Sequence, residues 1–191
     1  MRKVIASPYM SLDGLIALPD GTSDWPVSGS ERYAREVLPM LFEQSDTIVL
    51  GRKTYETIVQ FWPSMSPEED RFATPMNTLP KIVFSQSLKE VPWGKWQNAT
   101  LVKDDPVEAM LALKQQEGKD LLIFGSGRLI STLAQADLID DYWLQVHPVA
   151  LGSGVSLFSD LERRLDLSLL EARPSEEGVL ILHYQKARKA A

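Results

Sequence analysis

Gly51-Arg52-Lys53-Thr54 follows the apolar run Thr47 to Leu50 and precedes residues of helical character. A guanidinium, an ammonium and a hydroxyl set just after a buried strand are suited to phosphate: the cations offset its charge, and N–H groups at a helix start donate to its oxygens. Two further strand-then-polar junctions have the same design. KIVFSQ, from Lys81 to Gln86, leaves Phe84, Ser85 and Gln86 at a strand end. LLIFGSGR, from Leu121 to Arg128, does the same with Gly125, Ser126, Gly127 and Arg128. Strand ends that bring N–H groups, hydroxyls and cations into one crevice predict a site for one dinucleotide shared by all three junctions.

Neither phosphate signature is standard. A kinase-type loop needs a glycine five residues before an unbroken Gly-Lys-Ser/Thr, but Asp46 stands there and Arg52 separates Gly51 from Lys53, so ATP hydrolysis is not supported. In Gly125-Ser126-Gly127-Arg128-Leu129-Ile130 the third small residue of a dinucleotide fingerprint is replaced by Ile130, and no acidic residue ends the next strand. A standard Rossmann domain is therefore disfavoured. Other short motifs have two readings. Ser11-Leu12-Asp13-Gly14 and Leu151-Gly152-Ser153-Gly154 are either turn chemistry or places where backbone meets a ligand. Trp25, amid turn residues, either pins its loop or lines a pocket.

The elements that must position these residues fit within one domain over residues 1–191. Hydrophobic residues make up 44% and charged residues 24%, an ordinary soluble balance, and the net charge of −6 makes phosphate recognition a local property rather than a global one. No cysteine is present, and His147 and His183 lie far apart, so no metal site is expected. No apolar run approaches the ~20 residues of a membrane span, and no basic-then-apolar leader opens the chain; the expectation is a cytoplasmic protein that binds neither membrane nor nucleic acid.

Val4 to Ala6 reads as a strand, and the Asp13-Gly14 bend leads to a short apolar run, Leu15 to Leu18. Pro19 to Ser30 is a loop. Ser30 caps a helix with Tyr33, Val37 and Leu41 on one face, which Pro39 should kink or end early. A short helix spans Lys53 to Val59, and Phe61 to Pro80, with four prolines, is a long connection. Strands follow at Lys81 to Phe84 and Leu101-Val102. Asp105-Pro106 opens a helix that Gly118 closes. Leu121 to Phe124 is a strand covered on both faces, Arg128 to Ala136 a helix and Tyr142 to Val146 a strand. Leu167 to Ala172 and Val179 to Lys186 form an antiparallel hairpin. The sum is α/β: a central mixed, mostly parallel sheet with an antiparallel C-terminal edge hairpin and helices on both faces.

The order of Ser11-Leu12-Asp13-Gly14, Gly51-Arg52-Lys53-Thr54-Tyr55-Glu56, Ile82-Val83-Phe84-Ser85, Gly125-Ser126-Gly127 and Leu151-Gly152-Ser153-Gly154 resembles the dihydrofolate reductase superfamily. It is most similar to the reductase domain of the riboflavin-biosynthesis deaminase-reductase and its stand-alone relatives. The resemblance implies a three-layer fold and NADPH bound across the three junctions. Arg52 and Ser85 would then meet the adenosine 2′-phosphate, flanked by Phe84 and Gln86. Gly51, Lys53 and Thr54 would hold the pyrophosphate, with Gly125 to Leu129 on its other side, and Ile16 and Ala17 would border the nicotinamide. Trp25, Glu31 and Gln145 would face the substrate. The folate anchors are displaced: Ser30, not an acid, follows Trp25 at the expected interval, Glu31 stands one residue further on as the candidate proton donor, and Leu79 occupies the place of the tail-binding arginine.

The resulting expectation is an NADPH-dependent reductase that transfers hydride to a C=N or C=O bond of a small pterin- or pyrimidine-like heterocycle, acting as a homodimer. The alternatives are a non-catalytic nucleotide-binding or scaffold protein on the same fold, and a true dihydrofolate reductase or 5-amino-6-(ribosylamino)uracil reductase.

Overall fold

The computed structural model describes residues 1–26, 30–158 and 161–187; residues 27–29 of the loop read from Pro19 to Ser30 lie outside that set. Strands are β1 (Val4–Ala6), β2 (Tyr9–Ser11), β3 (Leu15–Ala17), β4 (Ser45–Gly51), β5 (Lys81–Phe84), β6 (Ala99–Val102), β7 (Asp120–Gly125), β8 (Asp141–His147), β9 (Val155–Ser156), β10 (Leu167–Pro174) and β11 (Leu180–Lys186). Helices are α1 (Leu38–Gln44), α2 (Arg52–Ile58), α3 (Ala73–Thr78), α4 (Pro106–Gln115) and α5 (Gly127–Gln135).

The main sheet runs β10-β11-β8-β1-β7-β4-β5-β6, with β2 also paired to β8. The pairs β8 to β11 and β11 to β10 are antiparallel, and the others are parallel. β3 and β9 form a small antiparallel sheet. The mixed sheet and its C-terminal hairpin match the expectation.

Burial explains the apolar runs. Along β7, Leu121 and Ile123 face a core shared with Met110 of α4 and Leu129, Ile130 and Leu133 of α5. Leu122 faces the other core, with Val37 and Leu41 of the first helical segment, Tyr55 of α2 and Met76 of α3. Helices thus cover both sides of a strand whose neighbours are parallel, so no polar alternation survives in its sequence.

Three local readings change. The helix capped by Ser30, whose hydroxyl accepts from the Tyr33 N–H at 3.1 Å, does not stop at Pro39. Its turns widen to π-type over Tyr33–Val37, and Pro39 then lies within the first two positions of α1, where its missing N–H costs least. α4 ends at Gln115, before Gly118. Gly118 instead sits against the Arg2–Asp46 ion pair, where a Cβ would come within 2.6 Å of Asp46 Oδ2. The connection from Phe61 to Pro80 contains a helical turn, Trp62–Ser64, and α3, which its four prolines conceal.

Candidate functional site

β4, β5 and β7 are parallel neighbours, so their C-terminal ends share one edge of the sheet. Gly51 pairs with Phe84 and Leu50 with Gly125. The three junctions singled out in the sequence therefore stand side by side, in the crevice at strand ends where ligands of open α/β sheets bind.

Glycine makes this closeness possible. A Cβ on Gly51 would lie 2.3 Å from Ser126 Oγ and 2.9 Å from Ser126 N, and a Cβ on Gly125 would lie 2.6 Å from Thr54 Oγ1. A Cβ on Gly127 would overlap the Ile16 side chain. The β4–α2 turn, the β7–α5 turn and β3 thus interlock. These glycines are needed first for contact between the junctions, and only the surface they jointly form is available to a ligand.

The side chains over this surface are mostly uncommitted. Arg52 is exposed and, among the described residues, pairs only with Glu56, one turn on, at 3.3 Å. Lys53 and Arg128 are exposed and have no ion-pair partner among the described residues. Asp20 lies near enough to feel Lys53: its pKa is lowered first by hydrogen bonds from Thr22, then by its own backbone N–H, and least by that cation. Three cations at one sheet edge of a chain with net charge −6 make a local positive patch. Ser85 Oγ accepts from the N–H groups of Ser87 at 3.3 Å and Leu88 at 3.1 Å, closing a turn, and lies 3.5 Å from Ser87 Oγ, where either hydroxyl can donate. Gln86 is exposed and donates to the Lys103 carbonyl. Phe84 and Leu129 are buried beneath.

The Asp13 bend is a clamp. Its carboxylate accepts from Ser11 Oγ at 2.6 Å, from Leu151 N at 3.1 Å and from Gly152 N at 2.7 Å, and these bonds, Ser11's foremost, hold its pKa down to about 2. A Cβ on Gly154 would lie 2.2 Å from the Ala17 carbonyl oxygen, so β9 is pressed onto β3. Of the two readings for these motifs, loop packing accounts for Asp13, Leu151, Gly152 and Gly154. Ala17 is buried under this contact, and half-buried Ile16 reaches to Gly127.

Of the residues expected to face the substrate, Trp25 stacks edge to face with Tyr9 at 5.4 Å and with His147 at 5.6 Å. Half-buried Gln145 precedes His147 by two on β8 and shares its face of the sheet. Glu31 is apart from them: its carboxylate is 64% exposed and pairs with Arg71 at 3.2 Å. This surface pairing, made to a residue 40 positions away, has no sequence signal. Ser30 is spent on the helix cap and Leu79 packs against the core beside α3. Sequence reasoning missed His147 and Tyr9, since only the pairing of β2 with β8 brings them to Trp25. A cavity of about 250 Å³ lined by Pro63, Met65, Asn77 and Trp96 lies by α3, at the opposite, N-terminal end of β5, away from the junctions.

Residues 2–181 match the family described as RibD C-terminal domain. The chain is 30% identical over 185 residues to the uncharacterized protein YyaP of Bacillus subtilis (strain 168), covering 96% of this chain and 94% of YyaP. Among solved structures, a Shewanella sp. PV-4 protein named for riboflavin biosynthesis superposes with a TM-score of 0.75 at 26% identity, over 97% of this chain and 99% of that one. A pyrimidine reductase-like protein from Corynebacterium diphtheriae shares the fold with a TM-score of 0.63 at 16% identity, over 98% and 93% of the two chains.

Proposed function

The chain belongs to the RibD C-terminal domain family, and on that footing we propose that it is an NADPH-dependent reductase delivering hydride to a C=N or C=O bond of a small pterin- or pyrimidine-like heterocycle. The observation that carries this reading is the register that sets Gly51, Phe84 and Gly125 at one sheet edge beneath Arg52, Lys53 and Arg128.

The donor set fits the cofactor. Arg52 offers a planar fork of N–H donors for a 2′-phosphate, with the Ser85 hydroxyl as a further donor, while Lys53, Thr54 and Ser126 suit a pyrophosphate. When bound, NADPH supplies the hydride. The chain's own task is to fix the nicotinamide edge against Ile16 and Ala17 and to exclude water by the β3–β9 contact. No side-chain acid is assigned, because Glu31 is held at the surface by Arg71, and solvent is the proton source in this reading.

Arg52→Ala tests the cofactor assignment. Loss of one charge-assisted contact to a dianion should weaken NADPH roughly 10- to 100-fold and leave NADH unchanged. Equal loss for both cofactors, or none for either, contradicts the role. Steady NADPH oxidation with a pterin or pyrimidine acceptor separates an enzyme from a binder that has lost turnover.

A second copy of the chain is the proposed partner. Among the described residues β10 pairs only with β11, and its other edge is open beside Leu169 and Leu170, exposed at 53% and 54%. Exposed apolar side chains on an open strand edge favour association. Sedimentation at micromolar concentration should give a dimer, and Leu170→Glu a monomer; a monomeric native chain refutes this.

A further inference from the structure

Trp93 and Trp96 are bridge partners across the two-residue turn Gly94-Lys95, and their indole N–H groups are treated differently by the fold. Gly94 takes φ of 55° at the first turn position, where glycine is favoured, and a Cβ there would come within 2.7 Å of Pro63 Cβ. The turn is thus seated on the helical turn Trp62–Ser64. Trp93 Nε1–H donates to Asn77 Oδ1 at 2.8 Å. Trp96 Nε1–H is buried too, yet it has no partner among the described residues. Buried donors are nearly always satisfied, so this one needs an explanation.

Trp96 is a wall of the cavity of about 250 Å³ beside α3, and every residue of that lining is among those described. Pro63 and Met65 supply further apolar walls. Asn77 holds them in place, its amide donating to the carbonyls of Trp62 at 2.8 Å and Met65 at 3.4 Å, so its polar atoms are spent within the fold. Lys95 is the one charged residue of the lining. It is exposed, its ammonium stands 5.2 Å over the Trp96 ring, and it has no ion-pair partner among the described residues.

These features select one kind of ligand. Tryptophan, methionine and proline walls favour a flat aromatic ring, a lone cation favours an anion, and an unpartnered N–H favours an acceptor. The volume lies below the roughly 300–1,000 Å³ typical of drug-sized ligands, which suits one substituted ring and is too small for a dinucleotide.

We propose that this cavity is a second small-molecule site, for an aromatic monocarboxylate whose ring lies against Pro63, Met65 and Trp96 and whose carboxylate bridges Lys95 Nζ and Trp96 Nε1. The indole N–H is closed to water as it stands, so the carboxylate reaches it as the ring tilts on the Gly94-Lys95 turn. The site lies at the N-terminal end of β5, away from the phosphate junctions, and does not depend on the reductase reading.

The test is a benzoate titration of the isotopically labelled full chain, followed by NMR at its five tryptophan indole N–H signals. The Trp96 signal is the one that Trp96→Phe removes. It should move downfield and saturate below about 10 mM benzoate, the range expected of so small a ligand, while the others move little. Benzamide, flat and of similar size but uncharged, should bind at least about tenfold more weakly, and Lys95→Met should weaken benzoate by about the same factor while leaving benzamide unchanged. Lys95 is exposed, so its variant carries the test if Trp96→Phe misfolds. The absence of a saturating shift overturns the proposal, as does benzamide binding as tightly as benzoate, or benzoate affinity untouched by Lys95→Met.

Discussion

Gly51→Ala should lower NADPH turnover by about 10²-fold and destabilise the fold by about 1–3 kcal/mol, the size of effect expected from displaced reacting groups and from overpacking. Gly51 has φ of −83° and ψ of 162°, angles any residue adopts, so the effect is purely steric. An added Cβ would meet Ser126 Oγ, which can rotate away, but also Ser126 N at 2.9 Å, which cannot move without shifting the start of α5. The β4–α2 and β7–α5 turns would have to part, and the proposed pyrophosphate cradle would widen with them.

Gly21→Ala is the control. Gly21 has φ of 86° and open space around its Cβ position, so alanine there should cost roughly 1–2 kcal/mol through backbone strain while leaving NADPH affinity at the native value. If both variants lose stability and neither loses cofactor, the junction contact is structural only.

Lys81 should give the chain a stability that climbs with pH. Its side chain is 0% exposed, bonded to the Asn77 carbonyl at 2.8 Å and Asn98 Oδ1 at 3.3 Å and set over the Trp93 ring, with no carboxylate partner among the described residues. Burial draws its pKa from 10.5 down to about 7. Between these values the unfolded chain holds a proton that the folded chain has released, so stability rises with pH across that window. The gain by pH 10 should be of order 3–5 kcal/mol.

Above pH 10 the sign reverses. The buried phenols of Tyr33 and Tyr142 have pKa values pushed well up, so the unfolded chain then loses protons that the folded chain keeps, and stability falls. Urea unfolding at pH 7, 8.5 and 10 checks the rise. Lys81→Met should flatten the profile over that range, and a slope that survives the substitution assigns the effect elsewhere.

The legibility of the chain follows from how local each cause is. β4, β5 and β7 were readable because strands covered on both faces become unbroken apolar runs, and Gly51, Ser85 and Gly125 mark where each run ends. The cap of α4 was readable because Asp105 bonds to Val107 N and Glu108 N, two and three residues on. α3 was hidden because Pro75 argues against a helix unless it lies in the first turns. The contacts of Gly51 with Ser126, of Glu31 with Arg71 and of His147 with Trp25 all join distant segments, and an isolated histidine has no periodicity to betray it. Sequence thus located the strand-end junctions, whose causes are local, and not the contacts that join distant segments.

The central claim is that the edge formed by Gly51, Phe84 and Gly125 binds NADPH through its 2′-phosphate. Calorimetric titration of the native chain with NADPH and with NADH tests it most directly. One NADPH per chain, bound at least about tenfold more tightly than NADH, is the expected result for a charge-assisted 2′-phosphate contact. Binding of neither, or equal affinity for both, would contradict it.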